Sequence, residues 1–249
     1  MPVFERDEVA LYYEEYGAGF PLLLFAPGGM RSELQLWRAR PEAPKEKLPW
    51  INPMVDLADR FRVIGFDQRN AGRSTAPVMP ADSWPRYASD AVALLDHLGL
   101  EKTHAMGGCI GSSYVLGLIQ AAPDRVVAGV LQNPIGLTAD NRGDFYGMFD
   151  QWAAAIGSRA PESTWAAFRE AMFGGDFVFS VSRQFVRQCE VPLLVLSGDD
   201  HFHPPEVARE LAELAPRAEL VEKWAGEEMK PVTREKIRAF LVAHTPNAV

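Results

Sequence analysis

Met106-Gly107-Gly108-Cys109-Ile110-Gly111-Ser112 is the stretch on which the reading of this chain turns. An apolar approach, small residues around a single cysteine and a helix-like continuation describe a tight strand-to-helix turn of the kind that presents a nucleophile. Such a turn strains the backbone and presses it against neighbouring elements, so small residues are needed beside it; Gly107, Gly108 and Gly111 meet that need. A thiol at a helix N-terminus also feels the positive end of the helix dipole, which favours the thiolate. An isolated match of this kind equally describes an inert cysteine buried in a glycine-rich turn. The surrounding sequence favours the nucleophile.

On either side of that turn the chain alternates between two periodicities. Residues 9–16 read as a strand closed by a turn at Gly17, and Pro21-Leu22-Leu23-Leu24-Phe25-Ala26 reads as a short strand buried on both faces and ended by Pro27-Gly28-Gly29. Arg62-Val63-Ile64-Gly65-Phe66 is another buried strand. Residues 89–98 carry Ala91, Val92, Leu94, Leu95 and Leu98 at helical spacing before Gly99 stops them. Residues 103–106 lead into the cysteine turn, 113–122 continue as helix, and Val126-Val127-Ala128-Gly129-Val130-Leu131 is the next strand. This rhythm specifies an α/β fold, a mostly parallel central sheet with helices on both faces. It breaks over residues 134–190, where Phe145, Tyr146, Phe149, Trp152, Trp165, Phe168, Phe173, Phe177 and Phe179 follow helical spacing. That segment is expected to be a short helical cap inserted into a core made of residues 1–133 and 191–249. The rhythm resumes with a strand over 191–196, a helix over 205–214, a strand over 218–224 and a last helix over 233–243. The stretch 38–47, rich in Pro and charge, reads as a surface loop able to approach the mouth of the site.

Composition narrows the partners. At 249 residues and 47% hydrophobic content the chain can bury the core of one domain, and its net charge of −8, with no dense basic run, argues against nucleic acid. The first eight residues lack the pattern of a secretory leader, and no run of eighteen apolar residues offers a membrane span. A cytoplasmic protein acting on a small molecule is expected, without cofactor or metal, and a homodimer is left open. Two cysteines, Cys109 and Cys189, cannot make a disulfide framework; Cys189, just before an apolar run, reads as structural.

With the Pro-Gly-Gly turn, Asp67-Gln68-Arg69-Asn70-Ala71-Gly72-Arg73-Ser74, the cysteine elbow, the cap and Ser197-Gly198-Asp199-Asp200 in that order, nearly the whole chain resembles the α/β-hydrolase fold superfamily. The resemblance implies that Asp67 and Arg69 brace loops beside the nucleophile. It likens Pro27-Gly28-Gly29-Met30 to the family's oxyanion turn, with Pro27 in the place of a histidine, and implies an oxyanion hole of Gly29, with Met30 beside it, and the N–H of Ile110. The family's acid follows the strand ending at Leu196, commonly four residues before a proline; Asp200 with Pro204 reproduces that spacing, with Asp199 as the second candidate.

The family's base is a histidine after the last strand, where this chain has Trp224-Ala225-Gly226-Glu227-Glu228-Met229 and no imidazole. Of the five histidines, His97, His104 and His244 fall away from the reactive edge of the sheet, which leaves His201 and His203. One reading makes His203 the base to Cys109, oriented by Asp200 or by Glu227. A second lets Asp200 and His203, with Cys109 or a nearby Glu, bind a metal, but no closely spaced second pair completes such a site. In a third the histidines only solvate a loop and the protein binds a small molecule without turning it over. The first reading predicts a hydrolase that cleaves a small activated ester, thioester or lactone through Cys109, with Met30, Trp152, Trp165 and Phe168 as candidate pocket residues. The alternatives are a carbon-carbon bond hydrolase or lyase on the same scaffold, and the non-catalytic binding protein.

Overall fold

In the computed structural model, which describes residues 2–39, 47–157 and 160–246, eight strands form one sheet. The strands are β1 (Val3–Arg6), β2 (Val9–Tyr16), β3 (Phe20–Phe25), β4 (Phe61–Phe66), β5 (Thr103–Gly108), β6 (Val126–Gln132), β7 (Leu193–Leu196) and β8 (Ala218–Val221). Their spatial order is β1-β2-β4-β3-β5-β6-β7-β8. The β1–β2 and β2–β4 pairs are antiparallel and every pair from β4 to β8 is parallel. Parallel strands need crossovers, and here these are mostly helices that cover both faces and make the central strands continuously apolar. In β5 all six residues are buried.

Helices α2 (Trp84–His97) and α3 (Ile110–Ala121) close one face, where Leu94, Leu95, Val115 and Leu118 meet Leu23, Ile64 and Ala105. The short helix α1 (Pro53–Asp56) and the C-terminal α8 (Lys230–Ala243) close the other, with Met54, Ile237, Phe240 and Leu241 against Leu22, Leu24 and Val63. Between β6 and β7 run α4 (Arg142–Ile156), α5 (Glu162–Phe173) and α6 (Arg183–Arg187); α7 (Pro205–Leu214) links β7 to β8. The aromatic side chains of α4 and α5, Phe145, Phe149, Trp152, Phe168 and Phe173, join the same apolar cluster as β3, β4 and β5 rather than a core of their own.

Several boundaries differ from the sequence reading. The N-terminal residues form an antiparallel edge strand, β1, in which Phe4 is buried while Val3 and Glu5 face out; four residues are too few to show that alternation clearly. Helix α2 starts at Trp84, five residues before its apolar periodicity becomes legible, because Pro85 sits in its first turn, where a missing N–H costs nothing. The last strand ends at Val221 rather than at 224, and α8 begins at Lys230 rather than 233. Residues 40–46 of the 38–47 loop lie outside the described residues. Among those described, no helix is long and apolar enough to cross a membrane.

Candidate active site

The β5-to-α3 turn holds Cys109 at φ 56°, ψ −123°, in a region that L-residues avoid. Its geometry is over-determined by its neighbours. The Cys109 N–H donates to the Gln132 carbonyl at 3.0 Å, the Ser112 N–H to the Cys109 carbonyl at 3.0 Å, and the Ser112 hydroxyl to the Gly107 carbonyl at 3.0 Å. A Cβ on Gly107 would fall on the Gly111 backbone, and one on Gly111 on the Phe25 carbonyl, so both glycines are sterically required. The thiol is left half-buried on the wall of a cavity of about 650 Å³. The other free cysteine, Cys189, is buried away from it, with its thiol pushed up by burial.

The second part of the site comes from the loop after β7. Asp200 Oδ1 accepts the backbone N–H groups of Phe202 at 2.9 Å and His203 at 3.0 Å, which folds the loop into a tight turn. Gly198 permits this, since a Cβ there would collide with His203. Both carboxylate oxygens of Asp200 lie 2.8 Å from His203 Nδ1, so the proton sits on Nδ1 and Nε2 is directed away from the carboxylate. Nε2 is buried and lacks a partner at normal hydrogen-bond geometry, yet it approaches the Cys109 thiol closely enough for each group to move the other's titration. The contact is a close polar approach rather than a formed hydrogen bond.

The electrostatics follow from that geometry. Burial by itself pushes the Cys109 thiol up, but the charge of His203 and the backbone N–H groups of Gly28 and Ile110 outweigh it, and the thiol lies below its ordinary value. Burial likewise works against the imidazolium, and here the thiolate and Asp200 overcome it, raising His203 to about 10. Asp200 is held at about 2, chiefly by its hydrogen bond to His203. The arrangement favours a thiolate–imidazolium pair.

Of the residues singled out in the sequence, Cys109, His203 and Asp200 come together, and Gly29, Met30, Ile110 and Trp152 line the same cavity. Four do not take the places expected. Asp199 is exposed and bonds no imidazole, because the turn aims Asp200 at His203. Glu227 faces Lys47 and Lys230 at the surface, away from the thiol. Trp165 and Phe168 do not line the cavity: they stack on each other with ring centroids 6.4 Å apart, and Phe168 is fully buried, so both belong to the packing between α4 and α5. The Gly28 backbone N–H also reaches the Cys109 thiol, and Gly28, at φ 108°, opens the 3-10 turn Gly29–Arg31. The place after the last strand is filled by Trp224, buried, with Nε1 donating to the Ser197 carbonyl at 2.6 Å. His104 is buried in β5 at the far end of the sheet, with Nε2 2.9 Å from Thr245 Oγ1.

The structure adds Arg31, Asp144, Met148 and Gln151 to the cavity wall. Nothing in the sequence pattern marks them, since α4 contributes through tertiary packing over the 3-10 turn Gly29–Arg31. Among the described residues no group of three or more His, Cys, Asp or Glu side chains is placed to hold a metal ion.

The order of strands and the strained elbow are those of one large family, and its model, described as alpha/beta hydrolase fold, matches residues 21–179. The chain belongs to the alpha/beta hydrolase fold family. A protein of Azorhizobium caulinodans provisionally named a carbamate hydrolase is 36% identical over 126 residues, covering 51% of this chain and 42% of that protein. The chain thus spans less than half the length of that relative. A bifunctional esterase/perhydrolase of Acinetobacter calcoaceticus is 26% identical over 263 residues, covering 88% of this chain and 89% of its own. The enol-lactonase of Burkholderia xenovorans LB400 superposes with a TM-score of 0.68 at 19% identity, over 97% of this chain and 100% of the other; at that identity the likeness concerns the fold.

Proposed function

We propose that the chain hydrolyses a small activated ester, thioester or lactone through a cysteine nucleophile. The observation that carries this reading is the line Asp200–His203–Cys109, in which a doubly held Nδ1 leaves Nε2 toward a thiol whose ionisation is favoured. The Cys109 thiolate attacks the carbonyl carbon, and the negative charge that develops on the carbonyl oxygen meets the N–H groups of Ile110 and of the Gly28–Gly29 turn. Collapse expels the alcohol or thiol, which takes its proton from His203 Nε2, and leaves a thioester on Cys109. Neutral His203 then draws a proton from water as it attacks that thioester, a carboxylic acid leaves, and the thiolate–imidazolium pair is restored. Asp200 stays ionised throughout and keeps the imidazole oriented.

Helices α4–α6 act in this reading as a cap: α4 closes the cavity with Met148 and Trp152, which suits a small, largely apolar acyl group. The relatives' printed activities, on carbamates and esters, also involve attack at a carbonyl carbon bearing a heteroatom. Rapid mixing with p-nitrophenyl acetate tests the reading. A burst of about one p-nitrophenolate per chain, with an acetyl group mapped to the Cys109 peptide and lost in Cys109→Ala, is the expected result. Turnover that persists in Cys109→Ala overturns the nucleophile, and absence of acylation of the wild type places the chain among non-catalytic binders.

A further inference from the structure

The cavity is walled by apolar side chains and backbone, and besides Cys109 and His203 its polar side chains are Arg31, Asp144 and Gln151. Asp144 already has a partner, His201 Nε2 at 2.7 Å. Arg31 has none. Among the described residues, arginine side chains in this acidic chain are tied to carboxylates or carbonyls, the exceptions being Arg31, Arg60 and Arg187; of these only Arg31 lines the cavity. The carboxylate nearest to it in sequence, Glu33, forms no ion pair with it, although Arg31 lies close enough to offset part of the upward push that burial and Asp67 give Glu33.

Arg31 is anchored through its backbone, with its side chain exposed. It ends the 3-10 turn Gly29–Arg31, with its N–H on the Gly28 carbonyl at 3.3 Å, so the guanidinium grows from the same rigid turn that brings the Gly28 N–H to the thiol. A guanidinium offers a carboxylate two parallel hydrogen bonds, and one held at the mouth of a largely apolar cavity has little competition from other polar side chains. The chain carries a net charge of −8, which disfavours the approach of anions in general. An unpaired cation at the mouth is the feature that would reverse this locally.

Resting on the hydrolase reading above, we propose that Arg31 is a specificity-determining residue that selects substrates bearing a carboxylate on the acyl portion, within a few bonds of the reacting carbonyl. The acyl portion is the part that stays in the cavity through both half-reactions, so a contact to it acts on acylation and on hydrolysis alike.

The test compares mono-p-nitrophenyl glutarate with p-nitrophenyl pentanoate, two esters of similar length that differ in the terminal charge. The wild type should favour the glutarate about tenfold or more in kcat/KM, mostly through KM, with the preference shrinking as salt is raised. Arg31→Gln should bring the ratio toward one, and Arg31→Lys should restore part of it, which a merely structural arginine would not do. A wild-type ratio at or below one, or a ratio unchanged in Arg31→Gln, overturns the proposal. Should neither ester be cleaved, the hydrolase reading fails, and recognition is read instead from alkylation of Cys109 by iodoacetate against iodoacetamide, each releasing iodide and each normalised to its rate with glutathione. A normalised preference for iodoacetate that disappears in Arg31→Gln sustains carboxylate selection by Arg31; equal ratios in the two proteins overturn it.

Discussion

Removing the His203 imidazole takes away the positive charge that offsets the burial of Cys109 while leaving the burial in place. In wild type the rate of Cys109 alkylation by iodoacetamide should therefore rise through a pH below the ordinary thiol value of about 8.5, and the ion pair should last until His203 loses its proton at about 10. In His203→Ala the same rise should move to a pH above the ordinary value. Turnover on p-nitrophenyl acetate should fall about a hundredfold or more, the usual size of a lost general base. His201→Ala should change neither the titration nor the chemical step comparably, because His201 Nε2 is engaged with Asp144 at the rim. A pH profile for His203→Ala that overlays the wild type would separate the two side chains and end the pairing. The partners of Cys109 were legible only in part at this scale: Asp200 and His203 stand out because the chain offers no imidazole after the last strand, whereas the choice of Asp200 over Asp199 depends on a turn that one carboxylate closes with two backbone N–H groups.

Among the elements, α3 carries two glycines with opposite expectations. Gly111 lies against the Phe25 carbonyl, so Gly111→Ala must displace β3 or the helix and should cost about 3 kcal/mol or more. Gly117, one and a half turns along, has open space around the position of a Cβ, and Gly117→Ala should stabilise by about 0.5–1 kcal/mol through helix propensity. Urea midpoints of the two variants check both signs. In the helices between β6 and β7, Phe168 is fully buried among Tyr87, Phe149, Trp152 and Trp165, so Phe168→Ala should cost about 3–5 kcal/mol. Its relative kcat/KM over a series of p-nitrophenyl acyl chain lengths should stay as in wild type, since Phe168 does not reach the cavity. Trp152→Ala, which opens the cavity wall and removes the Nε1 hydrogen bond to the Asn70 carbonyl at 3.2 Å, should shift that series toward longer chains. Helical spacing of aromatic residues identified these elements but did not separate cavity wall from core, because on a helix with aromatics on several sides the partner of each side depends on what packs there.

For the molecule as a whole, acid stability should be limited by His104. It is fully buried between Phe20 and Phe61, and burial lowers its pKa to about 3. The folded state thus binds this proton less readily than the unfolded chain, with its ordinary value near 6.5, so stability falls as the pH drops below about 6.5 and the loss is complete near 3. At pH 4.5 the difference amounts to about 2.5 kcal/mol. A His104→Leu variant should lose less stability between pH 7 and pH 4.5 than the wild type by about that amount, measured as urea unfolding free energies. An equal acid sensitivity of the two proteins would move the cause to other groups.

Local sequence was enough to determine the parallel sheet, the cysteine elbow and the bracing Asp67-x-Arg69-x-x-Gly72-x-Ser74 segment. Each is written in residues close along the chain: continuous apolar runs of strand length, glycines where a Cβ has no room, and a carboxylate that accepts the N–H of Arg73 six residues on. Tertiary structure decided everything that depends on residues distant in the chain meeting. It placed His203 rather than a residue after β8 against the thiol, buried Trp224 where the family carries its histidine, and turned Arg31, Met148 and Gln151 toward one cavity. The physical reason is that strands and tight turns are set by steric and hydrogen-bond rules acting over a few residues, while a cavity is the space left when separate elements pack, and no local periodicity records its shape.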